Sequence, residues 1–425
     1  MTDFKPKILM FGWEFPPVIS GGLGVACLGL CKALAPLASS LKMVIPKSTP
    51  DFKLQGIDLV GLNAFTKDEL LEMFKGSNPV LDVFTIPFEP IFPYDNVSDS
   101  EFIKESFYDT FYNDINPFDI TDLYGGDVVR KVVEFARISV QYGLKQDFDV
   151  IHAHDWMTFL PAMQLKKLTG KPMVVHIHSL EYDRAGEHSK NWVWELERRA
   201  MEMADAIIPV SHYTGFICQK YYGADGAKIY PVHNGIEPIV KTVRKSPFRQ
   251  KVVIFFGRVT MQKGPEYFVE AARLVLKYHN NVKFVMAGSG DMLRPMILKT
   301  AQYNMGDKFF FTDFLNKKLL NDVLAISDVY CMPSVSEPFG LSAAEAAQYG
   351  IPTIISKTSG VAEVLNGSLK FDFWDINKFA QYILAALEMD GLRQEVVTKN
   401  YESLKHITWH HAAEKVISVY KKLIK

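Results

Sequence analysis

The chain has 425 residues, 48% of them hydrophobic and 22% charged, with a net charge of −1. That length exceeds one ordinary core and suits two domains of roughly 200 residues each. The charge balance excludes a broad nucleic-acid surface, which needs clustered Lys and Arg, and no apolar run approaches the roughly 18 residues that span a bilayer.

Met1 to Lys7 lacks signal-peptide architecture, because Ile8-Leu9-Met10-Phe11 is interrupted at once by Gly12-Trp13-Glu14. Lys7 to Phe11 reads as a strand, Ser20-Gly21-Gly22-Leu23-Gly24 as a glycine loop, and Val25 to Ala38 as a helix with apolar residues at helical spacing. Together they make the first unit of a doubly wound parallel sheet. Glycines let the backbone approach a ligand closely, so Gly21 and Gly22 are candidates for a sugar or phosphate site; a plain tight turn is the alternative. Lys42 to Pro46 is a second strand. Phe92 to Asp127 mixes aromatic rings with many aspartates, which suits carbohydrate stacking or an insertion whose rings pack on the domain. Asp127 to Tyr142 reads as an amphipathic helix. The four cysteines, Cys27, Cys31, Cys218 and Cys331, lie mostly in apolar contexts and read as reduced core thiols of a cytoplasmic protein. Cys27 and Cys31, one helical turn apart, read as core packing.

Asp149 to Trp156 and Val174 to Leu180 are strands that run into loops. They carry His152, His154, His176 and His178 as two His-x-His pairs. Alternate strand residues share a face, which invites a zinc reading. No Cys or carboxylate cluster completes a ligand set in sequence, and satisfied core histidines are the reading preferred. Glu181 to Glu187 is a polar loop, either a lip over a ligand or solvated. Trp192 to Met203 is a helix, Ala206 to Val210 and Ile229 to Val232 are strands, and Thr242 to Gln250 looks like a linker.

The second half begins as the first did. Lys251 to Phe256 is a buried strand, Gly257-Arg258 leads the loop, and Lys263-Gly264-Pro265 opens a helix to about Lys277. Arg258 and Lys263 flank that helix N-terminus, so two cations and free amides can converge on a diphosphate; two solvated charges are the plain alternative. Phe284 to Ala287 followed by Gly288-Ser289-Gly290 repeats the strand and glycine-loop design, and Phe309 to Phe311 leads to Thr312-Asp313-Phe314-Leu315. Asp328 to Pro333 is a short buried strand. It leads into Ser336-Glu337-Pro338-Phe339-Gly340-Leu341, where a loop turns into a helix that Gly350 closes. Such a helix start offers free N–H groups and a positive partial charge. Glu337 precedes those amides, where it repels phosphate but can bond sugar hydroxyls. Glu345 lies about one turn into the helix and can accept both hydroxyls of a ribose cis-diol. Either glutamate alone also fits a helix-dipole charge or a solvated helix residue. Ile351 to Ser356 is a strand, Ser359-Gly360 opens a helix, and from Asn377 the chain is helical, with a final amphipathic helix from Thr408-Trp409 to Lys425.

Glu337-Pro-Phe-Gly-x4-Glu345 closely resembles the E-x(7)-E signature of retaining glycosyltransferases of the GT-B fold, a superfamily that includes glycogen and starch synthases. The Gly-Gly-Leu loop at Gly21-Gly22, His-Asp155-Trp, His178-Ser-Leu-x-Tyr and Gly-Arg258-x4-Lys263-Gly are similar to further motifs of that family. A lysine usual two positions before the paired glycines is here Ile19, and Thr312 stands where glycine is frequent. The resemblance spans nearly the whole chain and implies an α/β architecture, two doubly wound Rossmann-like domains facing across a cleft. On that resemblance residues 1–240 are expected to form the acceptor-side domain and 241–408 the nucleotide-sugar domain, with the helix 409–425 packing back on the first. It implies that His178 and Glu337 hold the donor sugar, with Asp155 and the Gly21-Gly22 loop nearby. It further implies that Arg258 and Lys263 bind the phosphates together with the Phe339-Gly340-Leu341 amides, that Glu345 holds the ribose, and that Gly288, Phe314 and Leu315 line the nucleotide pocket.

The implied activity is hexose transfer, with retention, from a nucleotide sugar to a saccharide, as in glycogen synthesis. The partners expected are a nucleotide-sugar donor such as ADP- or UDP-glucose and a glucan or other saccharide acceptor, with no metal and no further cofactor. A transferase for small or cell-envelope acceptors is the alternative within the class. A nucleotide-sugar epimerase and a glycan-binding protein on the same fold are the alternatives outside it. The absence of a strongly basic amphipathic N-terminal helix weighs against a membrane-surface acceptor.

Overall fold

The computed structural model describes residues 4–18, 21–75, 118, 120, 122–125 and 127–424. Ile19 and Ser20, and nearly all of the aromatic and acidic stretch from Phe92, lie outside the described residues. The chain forms two compact units. Unit 1 is Met1–Val210, Thr214–Gly235 and Trp409–Lys425; unit 2 is Ser211–Tyr213 and Ile236–Thr408.

Unit 1 holds a six-stranded sheet of β1 (Lys7–Phe11), β2 (Ser40–Ile45), β3 (Asp58–Gly61), β4 (Val150–His154), β5 (Met173–Ile177) and β6 (Ala206–Pro209). Its order is β3-β2-β1-β4-β5-β6, with every pairing parallel. β4 and β5 are buried at every residue and β1 at all but Lys7, as strands covered by helices on each side must be. Unit 2 repeats the plan with β7 (Lys251–Phe256), β8 (Val282–Ala287), β9 (Phe309–Thr312), β10 (Val329–Met332), β11 (Thr353–Ser356) and β12 (Leu369–Phe371). The order β12-β11-β10-β7-β8-β9 is the same topology, again wholly parallel. In such sheets ligands bind beyond the strand C-termini where the order reverses. Those switch points are β1/β4 in unit 1 and β7/β10 in unit 2.

One core of unit 1 lies on the β1–β2 side, where the Gly22–Leu34 helix packs against the Trp409–Leu423 helix. A side chain at Gly29 would meet the Trp409 ring at 2.2 Å, so the indole sits flat on a glycine. The core of unit 2 is built on Phe255, Phe268, Phe284 and Phe309, with Phe371 stacked on Phe379.

Three expected elements differ. Ile229 to Val232 is not a strand but a single bridge, Ile229 to Ile207. Tyr230 and Val232 still donate to β6 at 2.8 and 2.9 Å, but Pro209 has no N–H to return a bond, and the ladder ends there. Ser359-Gly360 opens only a 3-10 turn, Gly360–Glu363. Glu181 to Glu187 contains the short helix Glu181–Ala185, and Glu181 and Asp183 are buried in it. The Phe159–Thr169 helix carried no amphipathic signal because its first seven residues are all buried.

Candidate functional site

In unit 2 the site grows from two loops at the switch point. After β7, Gly257 takes φ +144, Arg258 is exposed, and a 3-10 turn at Met261–Lys263 leads to Gly264 at φ +67 and the Pro265–Val275 helix. A Cβ on Gly264 would lie 2.1 Å from the Pro333 carbonyl oxygen, so the loop after β7 rests directly on the end of β10. Gly264→Ala therefore combines a left-handed residue with a backbone clash and is expected to cost about 2 kcal/mol or more in urea denaturation, where an unchanged midpoint would reject this packing.

The loop after β10 is laced on both sides. Val335 N–H donates to the Gln262 carbonyl at 2.9 Å, and Glu337 N–H to the Thr358 carbonyl at 2.9 Å. Gly360 N–H returns to the Glu337 carbonyl at 2.9 Å, where a side chain would lie 2.2 Å from the Pro338 oxygen. Gly340, at φ +107, turns the chain into the Leu341–Gln348 helix, whose first amides face the loop end. Gly350 closes this helix at φ +78.

These loops bring Lys263 and Glu337 together. The Lys263 Nζ donates to Glu337 Oε2 at 2.6 Å, and the Ser334 hydroxyl donates to the same oxygen at 3.3 Å. Glu337 is buried and Lys263 only 19% exposed, so the pair is largely shielded from water. The ammonium thus lies against a carboxylate that stands just before a helix start, where free amides favour negative charge. Phe339 is buried beneath the loop, with its carbonyl accepting from Val361 N–H. Glu345 is half-buried and pairs with Lys317 at 2.8 Å, a residue outside every sequence motif. Gly288 abuts the Gly257 carbonyl, where a Cβ would lie at 1.9 Å, so the two glycines let the β7 and β8 loops touch. Phe314 is 74% exposed after β9, and Leu315 beside it is half-buried.

In unit 1, β4, β5 and the residue just after β5 bring four imidazoles together. His152 Nε2 and His176 Nδ1 are 3.1 Å apart, and His154 Nδ1 and His178 Nε2 are 2.9 Å apart. His152 also bonds the Tyr420 hydroxyl from the final helix. Burial pushes His152 and His178 down to about 3, and His154 and His176 well below their ordinary value, so the array is neutral at physiological pH. The core-histidine reading holds in part, since His154 Nε2, His176 Nε2 and His178 Nδ1 have no hydrogen-bond partner among the described residues.

Asp155, at φ +59, is buried and turns back: its Oδ1 accepts from His178 N–H at 2.7 Å and Ser179 N–H at 3.3 Å. Burial raises its carboxyl to about 7. It holds the strand end that presents His178. Gly21 N–H donates to Glu14 Oε2 at 3.0 Å, so in this arrangement its amide is taken by a carboxylate and Gly22 begins the helix. Sequence reasoning passed over Glu14, which also bonds the Tyr124 hydroxyl, because nothing local distinguishes it from a loop charge.

Two doubly wound parallel sheets of one topology, with glycine loops and charged side chains at their switch points, define a two-domain α/β protein of the nucleotide-binding kind. Residues 240–403 match the family model for glycosyl transferases group 1, and residues 111–239 that for glycosyltransferase family 4. An uncharacterized glycosyltransferase of Methanocaldococcus jannaschii is 26% identical, with 98% of each chain covered. A glycogen synthase of Mycobacterium tuberculosis is 27% identical over 85% of this chain and 80% of its own. The catalytic domain of starch synthase IV from Arabidopsis thaliana, bound to ADP and acarbose, has a TM-score of 0.72 at 16% identity, covering 99% of this chain and 100% of that one. The chain belongs to the GT-B glycosyltransferase superfamily and is a sugar transferase. No helix among the described residues is long and apolar enough to cross a membrane.

Proposed function

We propose that the protein transfers glucose from ADP- or UDP-glucose to the non-reducing end of an α-glucan, with retention at the anomeric carbon. The observation that carries this is the buried Lys263–Glu337 pair at the start of the Leu341–Gln348 helix. A cation, helix amides and a carboxylate placed together suit a sugar diphosphate, whose two ends need opposite partners. Lys263, Arg258 and the amides after Gly340 stabilise charge developing on the leaving diphosphate. Glu337 takes the sugar hydroxyls, Glu345 the ribose, and Gly288, Phe314 and Leu315 the base side. In unit 1, His178 is assigned to the sugar, with Asp155 as its positioning residue. Because His178 is held neutral by burial, it serves as a hydrogen-bonding group rather than a cation. The leaving phosphate itself assists removal of the acceptor proton, and no metal ion is required. The likeness to a glycogen synthase and to a starch synthase domain supports a glucan as acceptor.

The test is nucleotide release from ADP-glucose, UDP-glucose and GDP-mannose, each with and without glycogen or maltooligosaccharide. Release from a glucose donor only with glucan, unchanged by EDTA and yielding the α-anomer, is the expected result. No glucan-dependent release from any donor overturns the glucan reading and points to small or lipid-linked acceptors.

A further inference from the structure

The zinc reading of the histidines lacked a completing ligand in sequence. The fold supplies one. Cys27, on the Gly22–Leu34 helix, is fully buried, and its Sγ and one ring nitrogen each of His154 and His178 all lie within 4.8 Å of one another. We propose that Cys27, His154 and His178 form a binding site for one thiophilic transition-metal ion, zinc(II) or copper(I), and that occupying it shuts off sugar transfer.

The argument is one of position and donor type. His154 is fully buried, and its Nδ1 meets His178 Nε2 at 2.9 Å, with no other hydrogen-bond partner for either ring among the described residues. A metal ion seated between the two rings takes a lone pair from each, where one shared proton now serves both. One thiolate with two imidazoles is a borderline-soft donor set that selects zinc or copper(I) and leaves magnesium and calcium unbound. Tetrahedral coordination at about 2.0–2.3 Å needs ligand atoms roughly 3.3–3.7 Å apart, so the two ring nitrogens part slightly from 2.9 Å while the sulfur stays within the same small cluster. On binding, the Cys27 S–H bond breaks, the sulfur keeps the electron pair and donates it to the metal, and the proton leaves to solvent. No electron is transferred. The inhibition rests on the assignment of His178 to the donor sugar, since a metal-bound imidazole is withdrawn from it; the binding site does not rest on that assignment.

Cobalt(II) titration of EDTA-treated full-length protein reads the site without any activity. One equivalent is expected to bind with a near-ultraviolet thiolate-to-cobalt charge-transfer band, displaced by zinc(II). Cys27→Ser and His154→Gln are each expected to abolish the band and weaken zinc binding about 100-fold, while Cys31→Ser, one turn along the same helix, keeps both. Circular dichroism of the two loss variants establishes that they are folded. A missing band, or one that survives Cys27→Ser, overturns the site. In the second arm, one equivalent of zinc is expected to lower glucan-dependent nucleotide release at least tenfold, with EDTA restoring it. Stoichiometric binding through Cys27 without inhibition overturns the shut-off and with it the role of His178, leaving the metal site standing. Absence of transfer with every donor, while the cobalt band forms, is the failure of the glucan reading alone.

Discussion

Glu337→Gln lowers sugar transfer about 10²–10³-fold or more while leaving the protein folded, and Lys263→Met lowers it comparably but also destabilises the chain. The asymmetry follows from burial. Glu337 is 6% exposed and its Oε2 has the Lys263 ammonium at 2.6 Å; without that ammonium, a nearly dry carboxylate keeps, among the described residues, the Ser334 hydroxyl on that oxygen. Breaking a buried pair from one side costs about 3–5 kcal/mol, and the partial exposure of Lys263 brings the expectation to about 2–3. The reverse change is milder. Glutamine keeps the shape of Glu337, and the freed ammonium can turn towards water through the 19% of its surface that is open. The double variant recovers most of the lost stability, because no unpaired charge remains, yet recovers no activity. On the proposed donor-site reading the two residues act as a unit, so their losses in rate do not add. Urea denaturation read beside nucleotide release checks both halves. Transfer within threefold of wild type in Glu337→Gln would remove Glu337 from the donor site, and equal stability losses in the two single variants would mean that the pair is more hydrated than its burial indicates.

The loop that carries Glu337 was legible because its signals are local. Gly340, the helix formers after it and Gly350 stand within a dozen residues, and the left-handed φ values at both glycines are what those positions required. The same holds for Gly264 and Pro265 before the helix they open. Partners across the sheet were not legible. Lys263 and Glu337 are 74 residues apart, and they meet only because β10 pairs with β7 after three crossovers. Asp155 read as a ligand-facing residue, whereas its Oδ1 is engaged by the amides after β5, a bond that depends on β4 and β5 being neighbours. Cys27 read as packing and His154 as core, each correctly by its own neighbourhood; their proximity belongs to the tertiary structure. Local chemistry thus revealed which residues are unusual, and parallel pairing decided which of them meet.

Removing the last helix abolishes folding of unit 1, and Trp409→Ala alone costs about 3–5 kcal/mol. Trp409, Ala412, Ala413, Val416, Ile417, Val419 and Tyr420 are all buried, and they belong to the same core as β1, β2 and the Gly22–Leu34 helix. A chain ending at Thr408 exposes that face of the Gly22–Leu34 helix. The burial lost exceeds the roughly 5–15 kcal/mol that holds a typical domain folded. Gly29 makes the fit specific: its missing side chain is the space the indole fills, so Gly29→Leu is expected to match Trp409→Ala in cost by overpacking rather than by cavity. Combining the two returns part of the loss, because leucine then occupies the volume the ring vacated. The helix also reaches the histidine array through the Tyr420 hydroxyl on His152, which bonds His176 in turn. Tyr420→Phe is therefore the informative small change. It keeps the packing and removes one bond, so a loss of about 1–2 kcal/mol is expected, far below that of Trp409→Ala. Urea denaturation of this series, followed by near-ultraviolet circular dichroism, checks the order; a Trp409→Ala loss under 1 kcal/mol would mean that unit 1 does not depend on its last helix for its core.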